Sequence, residues 1–291
     1  MDEFVDPLLI FDSTGETTTG LRNLLKGGSA FLVGGGPSSN SLDMTQLKQR
    51  GLFSMAINNM AGKFWSNAFV CADPPMKFHN GIWLDPTVMK FVPRPKLDGG
   101  RAKLREKIGD EFRELKVGEK SILTRDCPNV WGFGRRSWLL PDDTFFTDVE
   151  AAWGNHKAGV TRTGLKKTVN TTFLALRLLY YLGARTIFLV GIDWAMSPNL
   201  GIDQNYAFPQ AREPGSISTN NDQYQISGEW LQTMQDNGTF KKFGLSIYNC
   251  FEFSHLRTFS HVPFESAIQY ALKGYPKEPF DLREWYTKAV K

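Results

Sequence analysis

Residues Ser29 to Ser39 read SAFLVGGGPSS: a short apolar run, Ala30 to Val33, breaks into three glycines, a proline and two serines. A run of that length bounded by turn residues is the pattern of a buried parallel strand. The next stretch, Ser41 to Arg50, sets Leu42 and Leu47 on one side and predicts an amphipathic helix. Strand, glycine turn and helix start together make an anion site: glycines admit a phosphate close to the backbone, unpaired N–H groups point at it, and the helix dipole favours negative charge. The same residues also suit a tight turn that holds no ligand.

Beyond this stretch, Leu52 to Ile57 predicts a second strand ending in Asn58, and Ala68 to Ala72 a third ending in Asp73. Three successive apolar runs thus deliver small or polar residues at their C-terminal ends, the edge where open α/β sheets bind ligands. Further on, Thr168 to Leu182 predicts a helix stopped by Gly183, and Thr186 to Val190 a strand ending in Gly191-Ile192-Asp193. A polar loop, Met196 to Asn221, leads to a helix from about Glu229 to Gln235. Leu245 to Cys250 predicts another strand, Pro263 to Lys273 a helix, and Phe280 to Lys291 a short terminal helix carrying Trp285 and Tyr286. The fold expected is α/β, a Rossmann-like, doubly wound, mostly parallel sheet in one domain over residues 1–291.

From about residue 91 to 167 the pattern changes, and a basic inserted region is expected. Pro93 to Gly100 is loop-like, and Arg101 to Lys116 alternates charges at helical spacing. Trp131 to Trp138 and His156 to Lys167 are rich in glycine and cations. Arg135, Arg136, Lys166 and Lys167 among tryptophans suit a nucleic-acid backbone with a base stacked on Trp131 or Trp138. They equally suit a solvated charged surface over buried tryptophans.

Composition narrows the classes. With 41% hydrophobic and 22% charged residues in 291, the chain buries an ordinary core and is not a disordered protein. A formal charge of +4 permits a polyanionic partner without demanding one. Cys71, Cys127 and Cys250 are scattered and show no CxxC spacing, which argues against a disulfide framework or zinc site and for a reducing compartment. The acidic start is unlike a signal peptide, and no run has the ~18 apolar residues of a spanning helix. A cytoplasmic protein is expected.

The order of landmarks resembles the bacterial sialyltransferases of glycosyltransferase family 42 and the sialyltransferase-like domains of phages and prokaryotes. Where that family has a strand running into Gly-Asn-Gly-Pro-Ser, this chain has Gly34-Gly35-Gly36-Pro37-Ser38; where strands end in Asn and Asn-Pro, it has Asn58 and Asp73-Pro74. The family's Thr-Ser-Gly helix start resembles Asn170-Thr171-Thr172, and its Gly-Ile-Asp and Tyr-Ala-Phe resemble Gly191-Ile192-Asp193 and Tyr206-Ala207-Phe208. Asn221-Asp222 precedes Ser227-Gly228-Glu229 as the family's Asn-Asp precedes its Gly-His. The resemblance spans roughly Ala30 to Glu265, with the basic middle matching poorly.

The resemblance implies a GT-A-like fold of the sialyltransferase type and transfer from a nucleotide-sugar donor, UDP-linked or similar, with no obligatory metal. Gly34, Gly35, Gly36 and Ser38 are then the candidates for donor phosphate, and Asn58, Asn170, Thr171, Thr172 and Asp193 for the nucleotide. The departures are as informative. Glu229 stands where the family has its catalytic histidine, and Ala195 where it has one of two tyrosines, whereas Tyr206 is kept. Asp73 replaces an asparagine that contacts sugar, and would repel a sialic acid carboxylate. The chain is therefore expected not to be a sialyltransferase but a hexosyl- or pentosyltransferase. Asp73, Glu229, Tyr206 and His79 are the catalytic candidates, because transfer to a hydroxyl needs a base and a stabilised leaving phosphate. The acceptor suggested by the basic middle and by the phage domains that the chain resembles is a 5-hydroxymethylpyrimidine in DNA. Two alternatives stay open: a pyrophosphokinase of the hydroxymethylpterin type, with Asp73 and Asp193 on magnesium, and a nucleotide- or DNA-binding module without catalysis.

Overall fold

The computed structural model describes residues 6–73, 80–96, 105–108, 111–114, 119, 127–136, 140–153, 160–161, 164–165, 170–208 and 217–273. Nine strands among them form one sheet: β1 (Ile10–Phe11), β2 (Thr17–Thr18), β3 (Ser29–Val33), β4 (Ser54–Ile57), β5 (Ala68–Val70), β6 (Met89–Pro93), β7 (Val130–Phe133), β8 (Thr186–Val190) and β9 (Ser246–Asn249). Their spatial order is β9-β8-β3-β4-β5-β6-β7-β1-β2. Every neighbouring pair from β9 across to β7 is parallel, while β1 runs antiparallel to both β7 and β2.

Continuous apolar runs are what a strand covered on both faces requires, and alternation within each run divides the core in two. Ala30, Leu32, Ile187 and Leu189 join the cluster that contains helix α1 (Thr171–Tyr181). Phe31, Val33, Phe188 and Val190 face the other way, onto helix α3 (Phe264–Lys273). Helix α1 is buried along its whole length, including Arg177, whose guanidinium pairs with Asp6 at 2.7 Å and donates to the Asp148 carbonyl at 3.0 Å. That buried pair ties the chain's start to the central helix.

Four expectations are corrected. The helix expected over 41–50 is instead two 3-10 turns, Pro37–Ser41 and Met44–Lys48, separated by Leu42 in an extended conformation. Asp43 accepts from the Thr45 amide and hydroxyl, a local bond that competes with helix hydrogen bonding. Leu47 is nonetheless buried and Leu42 packs beside it, as the spacing implied. The charged stretch expected as a helix contains an antiparallel pair, Arg105–Ile108 with Glu111–Glu114, whose register sets Arg105 opposite Glu114 and Glu106 opposite Arg113.

The segment expected as an insertion from residue 91 supplies β6 and β7 to the middle of the sheet, and Ala151–Ala152 packs against α1. Finally, the loop expected up to Asn221 ends early, because helix α2 runs from Ile217 to Asp236. Only Ser227, Leu231 and Met234 of α2 are buried, too few to mark its start by periodicity. Residues 280–291, with Trp285 and Tyr286, lie outside the described residues.

Candidate active site

The chain winds from β3 toward β7 on one side and from β8 to β9 on the other, so the connections diverge between β3 and β8. Such a divergence opens a crevice at the carboxyl ends of the strands. Here that crevice is bounded by the Gly34–Gly36 turn after β3 and by Gly191–Asp193 after β8.

The two turns touch backbone to backbone. The Gly34 amide donates to Val190 O and the Gly36 amide to Gly191 O, each at 2.8 Å. A Cβ on Gly34 would lie 2.7 Å from Gly191 O, and a Cβ on Gly36 would lie 2.6 Å from Asp193 Cγ. These glycines are thus required by the crossing of the two turns. The Ser38 amide donates to Asp193 Oδ2 at 2.9 Å, and its hydroxyl donates to Asp193 Oδ1. The Asp193 carbonyl in turn accepts from the His255 amide at 2.8 Å, which brings in the loop after β9. Amides at Gly34, Gly36 and Ser38, offered by the sequence pattern as a phosphate cradle, are therefore already bonded within the protein, and no α-helix begins behind them.

The helix start at this edge belongs to α1. Asn170 caps it, its Oδ1 accepting from the Thr172 amide at 2.8 Å. Asn58, in the left-handed region at φ 51°, reaches across from the end of β4 and donates to Thr171 Oγ1 at 3.3 Å. The result is a cleft of about 140 Å³ onto which the positive end of α1 opens.

Gly34, Gly35, Gly36, Asn58, Asn170, Thr172, Asp193 and Tyr206 all line this cleft. Thr171 sits just behind it, bonded to Asn58, and Ser38 behind Asp193. Tyr206 and Phe208 approach Gly35, within 3.7 and 3.8 Å of where its Cβ would be.

Sequence reasoning missed Trp194, Met196, Asn205 and Tyr224, which also line the cleft. Trp194 and Tyr224 are half-stacked, with centroids 5.4 Å apart, and the indole N–H donates to the Tyr224 carbonyl at 2.6 Å. Gly228, noted in the sequence only for its place before Glu229, lies against this group: a Cβ there would be 3.2 Å from Trp194 Nε1, so glycine lets α2 approach the indole.

Among the described lining residues there is no Lys, Arg or His, and Asp193 is the one charged side chain. Burial raises the Asp193 carboxyl above the ordinary carboxylate range, opposed by the Ser38 bonds and by nearby His255. Burial, helped by Tyr206 and Asp193, also pushes the Tyr224 phenol well up, so it stays a neutral donor. The cleft therefore offers carboxamides, a hydroxyl, phenols and aromatic faces, a set suited to a nucleoside. Its electrostatic attraction for an anion comes from the start of α1.

No family model, no curated protein and no solved structure matches this chain.

The catalytic candidates separate. Tyr206 is in the cleft, whereas Asp73 follows β5 and is not part of the lining. Glu229 lies on α2 in an adjoining groove of about 560 Å³, with His255 and Arg257, beyond the Trp194–Tyr224 wall. Glu229 is exposed and accepts from Gln225 Nε2 at 3.1 Å. His79, Lys166, Lys167 and Trp138 lie outside the described residues. Arg136 pairs with Asp148 at 2.7 Å, and Arg135 lies over the Trp153 ring at 4.9 Å and donates to Ala72 O. Trp131 is half-buried in β7, its indole N–H bonded to Asn129. Both arginines and this tryptophan are thus engaged within the protein.

Proposed function

We propose that this chain is a nucleotide-sugar-dependent glycosyltransferase of the sialyltransferase-like type that passes a sugar to a hydroxyl acceptor. One observation carries the reading: four segments distant in sequence (Gly34–Gly36, Asn58, Asn170–Thr172 and Asp193–Tyr206) meet in a single cleft at the point where the sheet's connections diverge. The nucleoside of the donor lies in that cleft against the aromatic faces. The phosphate next to the sugar faces the start of α1, where the dipole favours negative charge, and the Tyr206 and Tyr224 side chains in the cleft lining are the phenol donors for the leaving oxygen.

The sugar extends past the Trp194–Tyr224 wall into the adjoining groove, where the acceptor hydroxyl gives its proton to Glu229 and attacks the anomeric carbon as the nucleotide phosphate leaves. Lacking cations among the described lining residues, the cleft best suits a donor of low negative charge. The pyrophosphokinase alternative needs Asp73 and Asp193 on one metal, and only Asp193 belongs to the cleft. The electrostatic argument against a sialic acid donor passes likewise from Asp73 to Asp193.

The test is turnover with CMP-, UDP- and GDP-linked sugars, in the presence of hydroxymethylcytosine-containing DNA or of free saccharides, read by mass. A mass gain on one acceptor, with Glu229→Gln losing at least tenfold in kcat while binding nucleotide normally, supports the proposal. Failure to bind any of the three nucleotides, or to consume any donor, overturns it.

A further inference from the structure

The wall between cleft and groove is held in a way the proposed chemistry does not explain. Trp194 has φ 61°, in the left-handed region that a bulky residue enters only under constraint. Two asparagines grip the backbone that follows. Asn221, on α2, accepts from the Met196 amide at 2.7 Å and donates to the Met196 carbonyl at 2.8 Å. Asn205 does the same for the next residue, accepting from the Ser197 amide at 2.5 Å and donating to the Ser197 carbonyl at 3.1 Å. A carboxamide that takes both polar groups of one residue replaces a strand partner, so this segment is paired by side chains where no strand is available. Asn220 adds a contact to Met196 Sδ at 3.3 Å.

We propose that Asn221 is a positioning residue. By clasping Met196 it keeps Trp194 in its strained conformation, with the indole standing between nucleotide cleft and groove, although Asn221 itself borders the groove and not the cleft. The affinity of the cleft for nucleotide then depends on a side chain that does not touch the nucleotide. That last consequence rests on the function proposed above; the clasp itself does not.

Two measurements separate them. Hydrogen exchange of the free protein, followed on peptides covering residues 194–199, is expected to speed up at least tenfold in Asn221→Ala. Peptides from 229–236 and from α1 should keep their protection. Asn221→Asp keeps the acceptor for the Met196 amide but sets a carboxylate against the Met196 carbonyl, so it should fall between wild type and Asn221→Ala. Unchanged exchange at 194–199, or an equal rise throughout α2, overturns the clasp.

Calorimetric titration with CMP and UDP gives the second readout: at least tenfold weaker binding in Asn221→Ala, at an unfolding midpoint near that of wild type. Wild-type binding matched by Asn221→Ala refutes the positioning role and leaves the glycosyltransferase reading standing. A wild-type protein that binds neither nucleotide refutes that reading, and the exchange data then judge the clasp alone.

Discussion

Replacing Gly36 by alanine isolates what the glycine turn is for. Its backbone, at φ −69° and ψ 150°, is one that alanine adopts without penalty, so conformational freedom is not at issue. The new Cβ, however, would lie 2.6 Å from Asp193 Cγ and 2.7 and 2.8 Å from its two oxygens. Asp193 cannot swing aside without leaving the amide and hydroxyl of Ser38, and charge-assisted bonds of that kind contribute about 1.5–3 kcal/mol. Overpacking alone costs about 1–3 kcal/mol. Since one relaxation relieves part of both, Gly36→Ala should lose about 2–4 kcal/mol in urea unfolding.

Gly35 provides the control: a Cβ there meets Tyr206 and Phe208 at ordinary van der Waals distance, so Gly35→Ala should stay within about 1 kcal/mol of wild type. Asp193→Ala removes the obstacle, and Gly36→Ala made in that background should cost less than about 1 kcal/mol, a coupling a double-mutant cycle measures directly. Equal losses for Gly35→Ala and Gly36→Ala, or no relief in the Asp193→Ala background, would refute the account of the turn as a backbone crossing.

Two further expectations concern buried charges. Asp6→Ala leaves the Arg177 guanidinium uncompensated inside the core and should cost about 3–5 kcal/mol in urea unfolding, with the far-UV spectrum retained. Lys90 is fully buried on β6, its ammonium donating to Trp83 O at 3.1 Å and Asp85 O at 2.5 Å, and burial brings its pKa down from 10.5 to about 8. Between those values the unfolded chain holds a proton that the native one has released, so stability rises with pH across the window, by up to about 3 kcal/mol. Unfolding midpoints measured from pH 7.5 to 10 should climb in wild type and lack that component in Lys90→Met; identical slopes would refute the assignment.

The strands β3, β4, β5, β8 and β9 were legible in the sequence because a strand covered on both faces must be apolar throughout, a demand met within a few neighbouring residues. For the same reason Asn58, Gly191 and Asp193 could be assigned to the ends of strands. Helices α1 and α3 declared themselves by their apolar spacing. What local pattern could not carry was pairing at a distance. Whether Met89–Pro93 and Val130–Phe133 lie in the sheet or outside it depends on their being laid side by side, which is settled by burial of the whole sheet and not by either segment. The second half of helix α2 was legible, but its first half escaped because it is fixed by Asn220 and Asn221 bonding to Met196, where periodicity looks only for apolar residues. The cleft shows the same division. The sequence determined that polar and glycine-rich tips come at strand ends, since apolar runs must stop where the sheet stops. It took the folded chain to show that the glycines serve Asp193, that the helix start at the cleft is that of α1, and that Trp194 and Tyr224 wall it, because each follows from where segments 30 or more residues apart come to rest against one another.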